Sequence, residues 1–170
     1  MASNRHLGRI IALQVLYEYD FRLDCGDEDA DLDAISIRSI DRYRDTIEDT
    51  EFINDLIQGV LSKSDELDDE LQPIAPEWPI SQIARVDRIV LRMGLYELKY
   101  SPSVPPKVVI NEAVELAKSF GGDSSSKFVN GVLGTAYRNL GGDKEDAPKK
   151  TKTSQKKDKV KASGKKTKTD

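Results

Sequence analysis

Apolar residues recur at helical spacing in several segments of this chain, and no segment shows the sustained apolar–polar alternation of a half-buried strand. Residues 52–61 are a clear case, because their apolar side chains fall at i, i+1, i+4, i+5, i+8 and i+9 while the opposite face is acidic. That stripe consists of Phe52, Ile53, Leu56, Ile57, Val60 and Leu61. The spacing predicts an all-α fold.

The first half of the chain contains two further predicted helices and a shorter helical piece. A helix from about Asn4, as N-cap, to about Leu23 is apolar around much of its girth and should be central to the core. The short piece covers residues 35–40, after an acidic loop. Helical spacing returns at residues 67–74 and ends before two prolines, at positions 76 and 79, which cannot continue a helix.

Three further helices are predicted in the second half. Ser81 is predicted to cap a core helix that reaches Leu98. The proline-rich connector at residues 101–106 suits the entry to the next helix, which should end at Gly121 in a left-handed conformation. One of the polar residues at 123–126 is predicted to cap the last helix, which extends to Leu140.

Charge divides the chain at Gly141 and Gly142. Residues 1–140 carry 15 basic and 25 acidic side chains, whereas residues 141–170 carry 11 lysines and 5 acids. With one valine as its only large apolar residue, the second part is predicted to be a disordered, lysine-rich tail. Such a tail is either a solubilising appendage or a nonspecific electrostatic arm for nucleic acid.

Side chains that support catalysis or metal binding are scarce. Cys25 and His6 are the only residues of their kinds, so neither a disulfide within the chain nor a zinc ligand set can be assembled. No glycine-rich phosphate-binding motif, signal peptide or membrane span is recognisable. We therefore expect a cytoplasmic protein that is not an enzyme and needs no cofactor or metal.

The stretch KSFGGDSSSKFVNGVLG, from Lys118 to Gly134, permits two interpretations. It is predicted to be a corner between two helices, with Phe128 half-buried at the edge of the last apolar stripe. The same features could form a surface on which Phe120 and Phe128 stack an unpaired base and Lys118 and Lys127 hold its phosphates. From these residues alone, packing is the favoured interpretation.

Three blocks of the chain are RHLGRIIALQVLYEYD, VDRIVLRMGLYEL and VPPKVVINEAVELAKSFGGDSSSKFVNGVLG, and together they cover most of residues 5–140 in order. In this order they resemble the NusB family of bacterial transcription antitermination factors. The resemblance implies a fold of two small helix bundles packed across each other. It also implies a non-enzymatic adaptor that binds boxA single-stranded RNA with NusE, a small-subunit ribosomal protein, and helps RNA polymerase read through ribosomal RNA operons.

Positions that match the family's motifs imply site residues. The RNA-binding positions carried over, or lying within the same blocks, are Arg5, Arg9, Lys118, Phe120, Ser124, Ser125, Lys127 and Phe128. Asp87 matches an acidic position associated with the NusE-binding side. If the helix face that carries both arginines abuts the corner, a basic strip forms there. The segment RHLGR is poorer in arginine than is usual for the family, which predicts a weaker RNA contact at that end.

Two other functions fit the same residues. One is a protein-protein scaffold that keeps the fold without RNA contact and works as a homodimer. The other follows from a similar helical domain at the front of ribosomal RNA cytosine methyltransferases. This chain would then be a stand-alone relative without that activity.

Overall fold

The computed structural model describes residues 2–75 and 77–142. Across these residues the secondary structure is helical, without a strand, so the all-α prediction is confirmed. The predicted lysine-rich tail lies outside the described residues from Asp143 onward. The helices are α1 (Ala2–Asp24), α2 (Leu32–Asp41), α3 (Thr50–Ser62), α4 (Ser64–Leu71), α5 (Arg85–Tyr100), α6 (Pro106–Phe120) and α7 (Ser125–Asn139), with a short 3₁₀ helix at Ile80–Gln82.

Helices α1 and α5 organise the core. Helix α1 packs against α2, α3 and α5, and its residues Ile11, Ala12 and Val15 are fully buried. Helix α5 contacts α1, α3 and α4 on one side and α6 and α7 on the other. It thus joins a first bundle, α1–α4, to a second that it forms with α6 and α7. This is the predicted two-bundle arrangement, and each fully buried aliphatic side chain contributes about 1.5–3 kcal/mol to it.

A glycine lets α5 pack closely against α6 and α7. A Cβ atom on Gly94 would lie 2.5 Å from Leu133 of α7 and 3.5 Å from Ala113 of α6. Ala113 and Leu133 lie at the middle of their helices, so all three helices meet at their centres. Because α6 and α7 are consecutive and joined by a short corner, this contact indicates an antiparallel pair.

The start of α5 differs from its prediction. Ser81 belongs to the 3₁₀ helix and does not cap α5, which begins at Arg85 after Ala84. The prediction was wrong because the side chain of Gln72 organises this segment. Its Oε1 accepts a hydrogen bond from the Ile80 amide (2.9 Å), and its Nε2 donates to the Trp78 carbonyl (3.0 Å).

The other helix ends follow the sequence more closely. Helix α6 has Pro106 in its first turn, as predicted, since the first turn needs no amide from it. Asn4 lies inside α1 instead of capping it, and its side chain donates to the Thr46 carbonyl at 3.0 Å. Across residues 2–75 and 77–142, none of the helices combines the length and apolarity needed to cross a bilayer.

Candidate nucleic-acid interface

The corner between α6 and α7 is attached to α5 by a buried serine. The Ser125 hydroxyl donates to Asp87 Oδ2 at 2.9 Å and accepts from the Gly122 amide at 2.9 Å. Both Ser125 and Asp87 are buried. Ser124 occupies the N-cap position of α7, but its side chain makes no capping hydrogen bond. The polar turn therefore fixes the position of α7 relative to α5.

Gly121 is required at this corner for a steric reason. The prediction of a left-handed conformation was wrong, because its backbone is extended, with φ −91° and ψ −172°. A Cβ atom at this position would lie 2.5 Å from Ser125 Oγ and 2.7 Å from the Ala117 carbonyl. The glycine thus makes room for the hydroxyl that holds the corner.

One side of the corner carries a group of exposed rings, which we call the corner aromatic surface: Tyr17, Phe21 and Phe120, with Arg85. Their exposed fractions are 38% for Tyr17, 48% for Phe21 and 41% for Phe120. The Tyr17 and Phe21 rings are parallel, with centroids 6.5 Å apart, and the Arg85 guanidinium lies 5.7 Å and 5.2 Å from their centroids. Phe120 and Tyr17 line a shallow cleft of about 400 Å³. This surface offers faces on which flat groups can stack.

The cations beside these rings are paired with carboxylates of α1. Arg85 Nε lies 2.7 Å from Asp20 Oδ2, and the same guanidinium also pairs with Asp24. Arg88 reaches Asp20 at 3.0 Å. These pairs hold the Arg85 plane in position, and a phosphate would have to compete with two carboxylates for it.

The other side of the corner carries a separate cleft, the Trp78 groove, of about 390 Å³. It is lined by Ile74, Ala75, Glu77, Trp78, Lys127, Phe128, Gly131 and Val132. Phe128 is half-buried, which confirms that prediction, and packs against the core. Phe120 and Phe128 therefore do not form one pair but line different clefts, one on each side of the corner.

Arg5 and Arg9 lie elsewhere. Arg9 is 3% exposed and makes a bidentate ion pair with Glu97 of α5, at 2.9 Å and 2.7 Å. Arg5 lies 5.0 Å from the Phe52 ring centroid and 3.6 Å from Asp49. The cleft beside Phe120 begins at Leu13, which at 1.5 Å per residue is about 12 Å along α1 from Arg5. The expected basic strip at the corner is not formed by these two residues.

The two predicted lysines remain at the surface. Lys118 is exposed and lies 3.6 Å from Glu115 on the same helix. Lys127 is exposed, and within the described part of the chain no carboxylate pairs with it. Among the same residues, no group of three or more His, Cys, Asp or Glu is placed to hold a metal ion.

Sequence reasoning missed three residues of the corner aromatic surface. Tyr17 and Phe21 are four residues apart on α1, and the apolar girth of that helix predicts that both lie in the core. Their i, i+4 spacing predicts a shared face but cannot tell whether that face is covered. Arg85 lies inside the core helix predicted to start after Ser81, and helical spacing gives no sign that an arginine there contacts the rings of α1.

Comparison with known proteins places this chain among sequences of one family. The family model described as NusB matches residues 6–138. The transcription antitermination protein NusB of Chloroflexus aggregans is 44% identical over 137 residues, which cover 79% of this chain and 87% of that protein. NusB of Dehalococcoides mccartyi is 41% identical over 140 residues, covering 82% and 94%.

Solved structures of NusB proteins have a similar fold. NusB of T. maritima matches with a TM-score of 0.70 and 31% identity over 79% of this chain and 90% of that one. A crystal structure of the antitermination factors NusB and NusE in complex with dsRNA matches with a TM-score of 0.70 and 25% identity, over 82% and 99%.

Proposed function

This chain belongs to the NusB family, and from that premise we propose that it is a non-enzymatic, cytoplasmic adaptor in transcription antitermination. It binds boxA-like single-stranded RNA together with the ribosomal protein NusE and promotes read-through by RNA polymerase in ribosomal RNA operons. The observation that carries this proposal is the set of exposed, fixed rings at the corner aromatic surface.

Exposed rings on rigid helices suit unpaired bases. Stacking of a base on an aromatic side chain contributes about 1–3 kcal/mol and tolerates different bases. Phe120 ends α6, while Tyr17 and Phe21 project from α1, and the Ser125–Asp87 hydrogen bond fixes the corner beside them. The rings are therefore positioned before the RNA arrives, which lowers the entropic cost of binding.

Charge alone is a poor explanation for RNA binding by this domain. Residues 1–140 carry ten more acids than bases, and phosphate contacts usually supply much of the affinity for nucleic acid. The acidic surface suits a basic protein, so the ribosomal protein can supply cations that this chain lacks. The RNA would then lie where the two proteins meet.

We assign roles to the predicted residues on this basis. Phe120 stacks a base, while Lys118, Lys127 and Ser124, all exposed near the corner, contact the backbone phosphates. Arg5 is exposed at the far end of α1 and would touch only a longer RNA. The predicted contact of Asp87 with NusE stays a prediction, since that carboxylate is buried beneath the corner.

RNA binding in the presence of the partner tests the proposal. Fluorescence anisotropy would compare a boxA-like strand with a scrambled strand of equal length, each with this chain and a NusE-type protein. We expect tighter binding of the boxA-like strand, and a loss of about 5- to 30-fold for Phe120→Ala, which follows from a stacking energy of about 1–2 kcal/mol.

The control is Ile37→Ala, which removes an exposed apolar side chain from α2. It should leave RNA affinity unchanged, and circular dichroism should show both variants folded. Equal affinity for the two strands would contradict the proposal. Binding of the partner without any RNA binding would favour the protein-protein scaffold, and self-association of this chain alone would favour the homodimer.

A further inference from the structure

Trp78, the only tryptophan in the chain, is 58% exposed. It lies in the loop between α4 and the 3₁₀ helix, at the mouth of the Trp78 groove. Contiguous exposed apolar surface marks interaction sites, and the indole adjoins the apolar side chains of Ile74, Phe128 and Val132 that line the groove. The volume of the groove, about 390 Å³, is within the range of sites that hold small organic groups.

The loop that carries Trp78 is held in place. The side chain of Gln72 bonds to the backbone of Trp78 and of Ile80 on either side of the turn. Within the described residues the indole stacks on no other ring, and its N–H has no hydrogen-bond partner. The backbone of Trp78 is thus held by hydrogen bonds, while its indole ring remains able to stack on a ligand and to donate a hydrogen bond.

The charges at the groove favour a nucleobase over a basic protein. One carboxylate, on Glu77, and one ammonium group, on Lys127, line it, so it lacks the acidic rim that would attract a basic segment. Lys127 and Phe128 belong to the first turn of α7, the same turn that carries the corner. The Trp78 groove and the corner aromatic surface therefore lie on opposite sides of the first turn of α7, so one RNA strand that crosses this turn could reach both.

We propose that the Trp78 groove is a second base-binding site, in which a nucleotide of a single-stranded RNA stacks on Trp78 while Lys127 holds its phosphate. This inference rests on the proposed function, because it extends the same RNA past the corner aromatic surface. The strand crosses the N-terminus of α7, with one base on Phe120 and another against Trp78 and the edge of Phe128.

Because Trp78 is the only tryptophan, it can be observed selectively in the intact complex. The full-length chain labelled with 5-fluorotryptophan gives one ¹⁹F signal for Trp78, whatever unlabelled protein is added. We would add an unlabelled NusE-type protein first and a boxA-like RNA second. We expect the signal to stay in place with the protein alone and to shift when RNA is added.

Two variants measure how much the Trp78 ring contributes to RNA affinity. Trp78→Ala should weaken RNA binding about 5- to 30-fold, as expected for the loss of one stacked base, while Trp78→Phe should retain most of the affinity. Ile37→Ala again serves as the control. Circular dichroism should show all three variants folded, since both altered side chains are exposed.

The possible failures are distinguishable. A ¹⁹F shift on adding the protein alone would identify the groove as a protein-docking site and overturn the inference. RNA binding of normal affinity by Trp78→Ala, with no ¹⁹F shift, would overturn it while leaving the proposed function intact. An absence of RNA binding by the wild-type chain with its partner would overturn both.

Discussion

Arg9 provides a decisive test, because a residue expected to contact RNA is buried in the structure. Its guanidinium makes two hydrogen bonds to Glu97, lies 3.8 Å from Glu112 and lies 5.2 Å from the Phe52 ring centroid. We therefore expect Arg9→Met to act on folding and not directly on RNA. RNA affinity should be unchanged wherever the variant is folded.

The size of the effect follows from the burial of the pair. Both side chains are about 97% buried, at 3–4% exposure, and removing one partner of such a pair leaves an uncompensated charge that costs about 3–5 kcal/mol. For a domain of about 140 residues, 1 kcal/mol shifts Tm by about 4 °C. Arg9→Met should therefore lower Tm by about 12–20 °C. Replacing both partners, as Arg9→Met with Glu97→Leu, should recover much of that loss.

Urea unfolding followed by circular dichroism would measure the two single variants and the double variant as a double-mutant cycle. RNA affinity would be measured by anisotropy at 20 °C, where the variants that remain folded can be compared. Wild-type stability of Arg9→Met together with a loss of RNA affinity would refute the reasoning. It would show that the guanidinium is available to RNA despite the ion pair.

Two further predictions concern the corner and an exposed charge cluster. Ser125→Ala leaves Asp87 Oδ2 without its donor, so the free energy of unfolding should fall by about 1.5–3 kcal/mol; unchanged urea stability would contradict this. Hydrogen bonding from Lys99 lowers the pKa of Glu66 to about 2. The stability that the ionised Glu66 carboxylate adds to the folded protein is therefore fully present above pH 4.5 and is lost as the pH falls towards 2. The Tm difference between wild type and Glu66→Gln should therefore shrink as the pH falls over that interval, and Glu28→Gln, which removes an exposed carboxylate outside this cluster, is the control.

The helices could be predicted well because their apolar stripes are long and because local residues mark where they begin and end. Pro106 marks the start of α6, and Gly121 and Gly122 mark the corner between α6 and α7. The wrong predictions occur where a specific side-chain contact sets the backbone. Gln72 bonds to the segment before α5, and the Ser125 hydroxyl occupies the space that a side chain at residue 121 would need. The spacing of apolar residues shows neither contact.

The site was harder to predict for the same reason. Arg5 and Arg9 are four residues apart and share a helix face, which correctly places both beside Phe52. Whether that face is covered depends on Glu97 and Glu112, which are 88 and 103 positions from Arg9 in the chain. Conversely, Phe21 was expected in the core and is half exposed. Periodicity tells which residues share a face, but burial depends on what packs against it.

The distribution of charge shows how the proposed RNA binding is compatible with a domain that repels RNA at long range. Its arginines near the corner are already paired with carboxylates, as Arg85 is with Asp20, so forming a phosphate contact there means breaking an existing pair. Stacking carries no such cost, because the rings of Phe120 and Trp78 have accessible area that no other ring in the described chain covers. Rings should therefore determine where the RNA lies on this protein, while the proposed basic partner would supply the long-range attraction that this chain lacks.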